Sequence, residues 1–328
     1  MVASIRAAVV ALLTGVSLIA SAQLTRQERS LIEDTLFSRN WRMSDLDSAR
    51  RSASDTAFSP LLAQALDTPL LATDRLLDVH AGAATGNTTE LLIRAIQLAY
   101  PSQETGVASI PGRVDITVLR GKLRPVVSAI VSATSATNEE VNAAMGNLTL
   151  EEKTELQTLL MQRGPDTDLK VRPKAVTRLK SLLARVDLAR IRSAGVALVS
   201  AVDESIEQLK AVKDDVPGPT MVTVAGVRTM ILPRRGESVD VTDADLVIAL
   251  GGHNTFSGKI ASGIGRSGVL IDMGDDSSYF TRDYSMGCGL LGVGYAFLGA
   301  SRTSILSGDA SVGAGLAGVG VARFDGVE

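Results

Sequence analysis

The chain has 328 residues, 45 % of them hydrophobic, so it can build a core and is not disordered throughout. Aromatics make up only 3 %, and 33 basic residues nearly balance 36 acidic ones for a net charge of -3. With no basic stripe beyond the short Pro233-Arg234-Arg235 spot, nucleic acid is excluded as a partner class. Two histidines exclude a multi-histidine metal site, and the single cysteine, Cys288, excludes an internal disulfide.

Residues 1–22 have the layout of a secretory signal: Arg6, an apolar stretch from Ala7 to Ala20, and Ala20-Ser21-Ala22 as a small-x-small cleavage site before Gln23. The stretch falls short of the ~20 residues a membrane span needs. The expectation is therefore an exported protein (secreted, periplasmic or on the cell surface) with no transmembrane span. Residues 23–215 read as an α-helical domain. Thr25-x-x-Glu28, Thr137-x-x-Glu140 and Thr149-x-x-Glu152 have capping-box spacing, and Gly146 and Gly164-Pro165 supply stops. A long helix is predicted over 174–210 from the stripe Val176, Leu179, Leu183, Val186, Leu198, Val202, Ile206 and Leu209, with Gly195 as the place where it would divide. In the same half, Asp78-Val79-His80 reads as a solvated or capping pair.

Glycine usage changes at Val216-Pro217-Gly218-Pro219, which cannot continue a helix: residues 216–328 hold 21 of the 30 glycines. Beyond it the pattern turns to strands. Met221–Val224 and Arg228–Leu232 read as hairpin arms, and Asp245–Leu250 leads to the first Gly-rich turn. Three G-x-G-x-x-G strings follow, starting at Gly263, Gly287 and Gly313, with steps of 24 and 26 residues. One copy would suggest a dinucleotide turn; three at a near-constant period, none before a helix, mean stacked repeats. Aligning Ala249–Phe256, Asp272–Tyr279 and Leu298–Ser304 as equivalent stretches yields about three rungs. The fold class expected is α + β: a helical N-terminal domain, then a parallel β-solenoid over 216–328. The third rung ends where a fourth would begin, so the expectation is either a piece of a longer array or an open edge covered by a partner or another copy.

Leu270-Ile-Asp-Met-Gly-Asp-Asp-Ser-Ser-Tyr279 and Gly251-Gly-His-Asn-Thr-Phe256 resemble degenerate forms of the "LIDLGGDDxY" repeat of exported bacterial proteins with Gly/Asp-rich β-solenoid tails. The resemblance covers about residues 220–328 and implies no established activity. A weaker similarity, to calcium-binding β-roll nonapeptides, lacks their nine-residue step.

Asp272, Asp275, Asp276 and Asp283 are the candidate metal ligands, because clustered carboxylates supply the oxygens calcium takes. The other rungs do not repeat them, and turn chemistry explains most of them. No cofactor other than calcium is suggested. Glycoside chemistry would draw on Asp272, Asp276 and Asp283 as acid and base groups. Ser262, Ser285 and Ser311 belong to the repeat and have no base beside them, and Cys288 reads as a buried inert thiol. The favoured expectation is a non-enzymatic scaffold or binding protein whose partner is a protein, a cell-surface or extracellular polymer, or a second copy. A solenoid polysaccharide hydrolase or lyase and a calcium-stabilised module are the alternatives.

Overall fold

A computed structural model describes residues 87–100, 114–161, 173–299 and 302–325. The signal, the Thr25 capping box, Gly164-Pro165 and the Asp78/His80 pair lie outside the described residues. The chain divides into two compact units, 1–104 and 105–328. In the first, α1 (Thr88–Ala99) starts at Asn87, whose side chain accepts from the Glu90 amide at 2.8 Å.

The second unit is α + β. Among its described residues the helices are α2 (Leu123–Ala144), α3 (Leu150–Met161), α4 (Pro173–Leu183) and α5 (Leu188–Ala211). The Thr149 capping box forms as predicted, with Glu152 accepting from the Thr149 amide and Thr149 Oγ1 from the Glu152 amide, at 3.0 and 3.2 Å. Thr137 does not start a helix. It lies inside α2 and its hydroxyl donates to the Ala133 carbonyl, because the apolar run on either side is already buried. The helix expected over 174–210 does divide, but at 184–187 rather than at Gly195. There Asp187 accepts from the Arg190 amide at 3.0 Å and caps α5. Gly195 stays helical, and its missing Cβ makes room for a strand: a Cβ there would sit 2.7 Å from Val319 Cγ2.

Strands begin just past the composition change. The hairpin β1 (Thr220–Val224) and β2 (Val227–Leu232) pairs antiparallel across Ala225-Gly226, both with positive φ, the turn that suits strand twist. Among the described residues all other pairings are parallel, and the strands form three sheets. The first has the order β1-β2-β4-β7-β10-β13, with β4 Leu246–Ala249, β7 Ser267–Asp272, β10 Val293–Leu298 and β13 Val319–Phe324. The second runs β3 (Ser238–Asp240), β5 (Thr255–Gly258), β8 (Ser277–Thr281), β11 (Thr303–Leu306). The third runs β6 (Gly263–Ile264), β9 (Gly289–Leu290), β12 (Gly315–Leu316). The chain visits the sheets in the same cyclic order each time, so equivalent side chains lie above one another.

The register corrects the glycine alignment. Gly263 pairs with Gly289 and Gly289 with Gly315, two equal steps of 26 residues, so the strings at Gly287 and Gly313 are not the counterparts of the one at Gly263. The same step links Ser267, Val293 and Val319. Earlier the step is 23: Ala249 pairs with Asp272 and Phe256 with Tyr279, as the strand alignment predicted. None of the glycine strings leads into a helix; each joins a third-sheet strand to a first-sheet strand or precedes that junction.

Inward columns form one apolar interior: Val247, Leu270 and Ala296; Phe256 and Tyr279; Ile260 and Met286. Phe256 and Tyr279 stack at 5.2 Å between ring centroids and 10° between planes. The outward columns of the first sheet, Leu246, Val269 and Tyr295, and Ile248, Ile271 and Phe297, are buried too. Helices α2 and α5 pack on each other and over β7, β10 and β13. Burial on both faces explains the unbroken apolar stretches Val269–Ile271 in β7 and Val293–Leu298 in β10. The contacts include Ser267 N donating to Asn138 Oδ1 at 2.7 Å and the Tyr295 hydroxyl donating to Asp203 at 2.5 Å. No helix among the described residues is long and apolar enough to cross a membrane.

Candidate functional site

The four sequence-predicted aspartates lie in two environments. Asp272 ends β7 on its inward side, between Ala249 in one neighbouring strand and Leu298 in the other, and is fully buried. Its Oδ1 accepts from Gly274 N at 2.8 Å and Asn254 Nδ2 at 3.1 Å, and its Oδ2 from the Tyr279 hydroxyl at 2.6 Å. Burial raises its pKa, opposed by hydrogen bonds from Ser277, Tyr279, Gly274 and Asn254. The same burial, with the carboxylate beside it, pushes the Tyr279 phenol upward. This is an internal polar knot inside an apolar column.

Asp275, Asp276 and Asp283 are exposed. Asp276 holds positive φ in the turn before β8, a conformation Asp tolerates. His253 Nδ1 lies 2.9 Å from the Asp275 carbonyl and 4.0 Å from Asp276 Oδ2, on the surface. Asp283 Oδ1 accepts from the Asp309 amide at 2.8 Å, tying one corner to the next. No three His, Cys, Asp or Glu side chains gather as a metal would require, among the described residues. Cys288 is buried, and desolvation pushes its thiol up to about 11, so almost none is thiolate at neutral pH.

Three features were not singled out from the sequence. Asp245, buried, takes Arg228 N at 2.9 Å and Arg266 Nη2 at 2.7 Å. A signal existed: Arg266 stands where the next two repeats have Gly292 and Gly318. A cleft of about 460 Å³ lies between residues 118–123 and 214–220. Its carboxylates are engaged: Asp214 Oδ2 accepts from Lys122 N and Leu123 N, at 2.6 and 3.1 Å, which caps α2. Asp215 Oδ1 accepts from Val216 N and Arg234 N, at 2.8 and 3.0 Å. No local motif announces a cap from 91 residues away.

The third feature is the outer face of the second sheet. Ser238, Thr255, Ser278 and Ser304 are in register as a column of hydroxyls on four neighbouring strands. Beside it runs the column Asp240, Ser257, Phe280 and Leu306, with Phe280 and Leu306 exposed. Their signal was the alternation of each strand, inward Phe256 and Tyr279 against outward Ser and Thr.

No family model, curated protein or solved structure matches the chain.

Proposed function

We propose that residues 220–325 form a short parallel β-solenoid, carried by an exported chain, that serves as a non-enzymatic scaffold or binding surface outside the cytoplasm. The observation that carries this reading is the common 26-residue step, which holds in all three sheets (Ser267 to Val293, Ser277 to Thr303, Gly263 to Gly289). Such a stack presents flat, evenly spaced faces about 4.8 Å per strand, suited to an extended partner. Helices α2 and α5 cover one face, so the hydroxyl column Ser238, Thr255, Ser278 and Ser304 is the face offered. The resemblance to exported repeat proteins and the signal-like residues 1–22 support the extracellular address.

The enzymatic alternative is weakened by the position of Asp272. A carboxylate enclosed between Ala249 and Leu298 and already holding several donors cannot reach a polymer, which leaves Asp276 and Asp283 without their expected third member. The test is binding of the purified chain to isolated envelope material, compared with Thr255→Arg and Ser278→Arg. Loss of binding with an unchanged melting temperature is expected. Turnover of a glycan that disappears in Asp276→Ala would overturn the reading.

A further inference from the structure

We infer that the β13 end of the stack is a self-association surface, on which a second copy of this chain docks head to head about a two-fold axis. The inference rests on the solenoid reading above and names the partner of one of its surfaces. Three strand edges, β11, β12 and β13, end together with no strand beyond them among the described residues. Among the described residues the interior columns also stop there. Phe324 continues the column of Ala249, Asp272 and Leu298 yet is 42 % exposed, while Leu298 is fully buried. Val312, one 26-residue step beyond Met286, is 38 % exposed, while Met286 is fully buried.

An edge left bare in a monomer is normally guarded by lysine, proline or a bulge. Residues 303–324 contain no lysine and no proline. Their only charges are Asp309 and Arg323, which cancel, and Arg323 is already paired with Asp203 at 3.1 Å and Asp325 at 3.4 Å. A neutral, apolar edge is matched by another neutral, apolar edge and offers no net charge to attract an anionic or cationic polymer. The opposite end of the stack does not match it. That end is turned over by the antiparallel β1–β2 hairpin, and β3 is surrounded by Arg235, Glu237, Asp240 and Asp243, the last with its side chain 91 % exposed. Head-to-tail growth would press this charged end onto the apolar one. Pairing like with like avoids that, and an isologous contact closes at two copies.

Sedimentation of the purified chain from nanomolar to micromolar concentration tests this. The expected result is a dimer, with Phe324→Glu and Val312→Glu each raising the dissociation constant about 100-fold or more by burying a charge without a partner. Circular dichroism and melting of both variants should match the parent. A monomeric parent overturns the proposal, as does a dimer indifferent to both variants, or concentration-dependent filaments. If either variant fails to fold, hydrogen exchange on the parent decides. The amides of Gly320, Ala322 and Phe324 alternate with those that bond to β10, and they should exchange more slowly at high concentration. Protection independent of concentration means that a segment of the same chain covers the edge, and overturns it. A far-ultraviolet spectrum without β content would instead sink the solenoid reading itself.

Discussion

Replacing Asp272 separates two descriptions of the same buried group, a stabilising acceptor and a costly charge. Asp272→Ala removes the acceptor for the Tyr279 hydroxyl, the Asn254 amide and the Gly274 N–H, all in the interior. Each buried donor left unmade costs ~1–3 kcal/mol, and relaxation recovers part of it, so a loss of about 3–6 kcal/mol is expected. That is a large share of the roughly 5–15 kcal/mol a domain has. Asp272→Asn keeps an oxygen for Gly274 and Asn254, turns the Tyr279 hydroxyl into an acceptor, and removes the desolvated charge. Its cost at neutral pH should be no more than about 1 kcal/mol.

The pH dependence has a definite sign. Burial raises the Asp272 pKa in the folded state above its ordinary 3.8. Such a group binds more protons folded than unfolded, so its contribution is fully present below 3.8 and is lost as pH rises through the folded value. Urea titrations followed by circular dichroism, run every half unit from pH 3.5 upward, should show the parent losing stability relative to Asp272→Asn over that window and then running parallel. The slope cannot exceed about 1.4 kcal/mol per pH unit for one proton. A parent that gains on the Asn variant as pH rises would mean that the donors outweigh desolvation. An Ala variant within about 1 kcal/mol of the parent would mean that the knot is not buried as described.

Three further outcomes follow from the packing. Gly195→Ala should lose about 1–2 kcal/mol, because the clash with Val319 exceeds the helix-propensity gain; Gly195→Ala with Val319→Ala should recover most of it, and additive losses in chemical denaturation would refute the contact. Cys288, with its thiol raised to about 11, should resist a thiol reagent at pH 8 until denaturant is added, and prompt stoichiometric labelling of the folded chain would contradict its burial. Thermal melting with calcium and with chelator should agree within about 1 °C, since Asp272 is committed inside while Asp275, Asp276 and Asp283 stay exposed; a calcium-dependent rise of several degrees would revive the metal reading.

Much of the strand half was legible because interior columns demand apolar residues at fixed places. Ala249, Asp272 and Leu298, and Phe256 with Tyr279, were aligned correctly from the strands alone. The hairpin, the Thr149 cap and the division of the long helix were legible from local chemistry, although Asp187, not Gly195, makes the break. Caps and contacts that join distant segments, such as Asp214 on α2 or Gly195 against Val319, leave no local trace. The sequence groups Asp272 with Asp275, Asp276 and Asp283 because clustered carboxylates supply the oxygens calcium takes. The inward phase of Asp272, two residues from Leu270 on the same strand, argued otherwise.

The glycine register failed for a reason that concerns conformation rather than composition. The backbone repeats a dihedral angle, and glycine is only one way of meeting it. Ala261, Gly287 and Gly313 share positive φ, at 47°, 76° and 74°, one 26-residue step apart. So do Gly265, Leu291 and Ala317, at 62°, 52° and 50°. Matching letters therefore slid Gly287 onto Gly263, although its true counterpart is an alanine. Leucine and alanine hold a left-handed corner at a cost of about 1 kcal/mol or more each, which only the surrounding ladder makes tolerable. The strained corners are thus evidence of cooperativity: no coil would keep Leu291 at φ 52° by its own preference, and the coils on either side impose it. Among the described residues the coil that carries Val312 has such a neighbour on one side only, and Val312 holds φ 57° there, a conformation still harder for a β-branched residue.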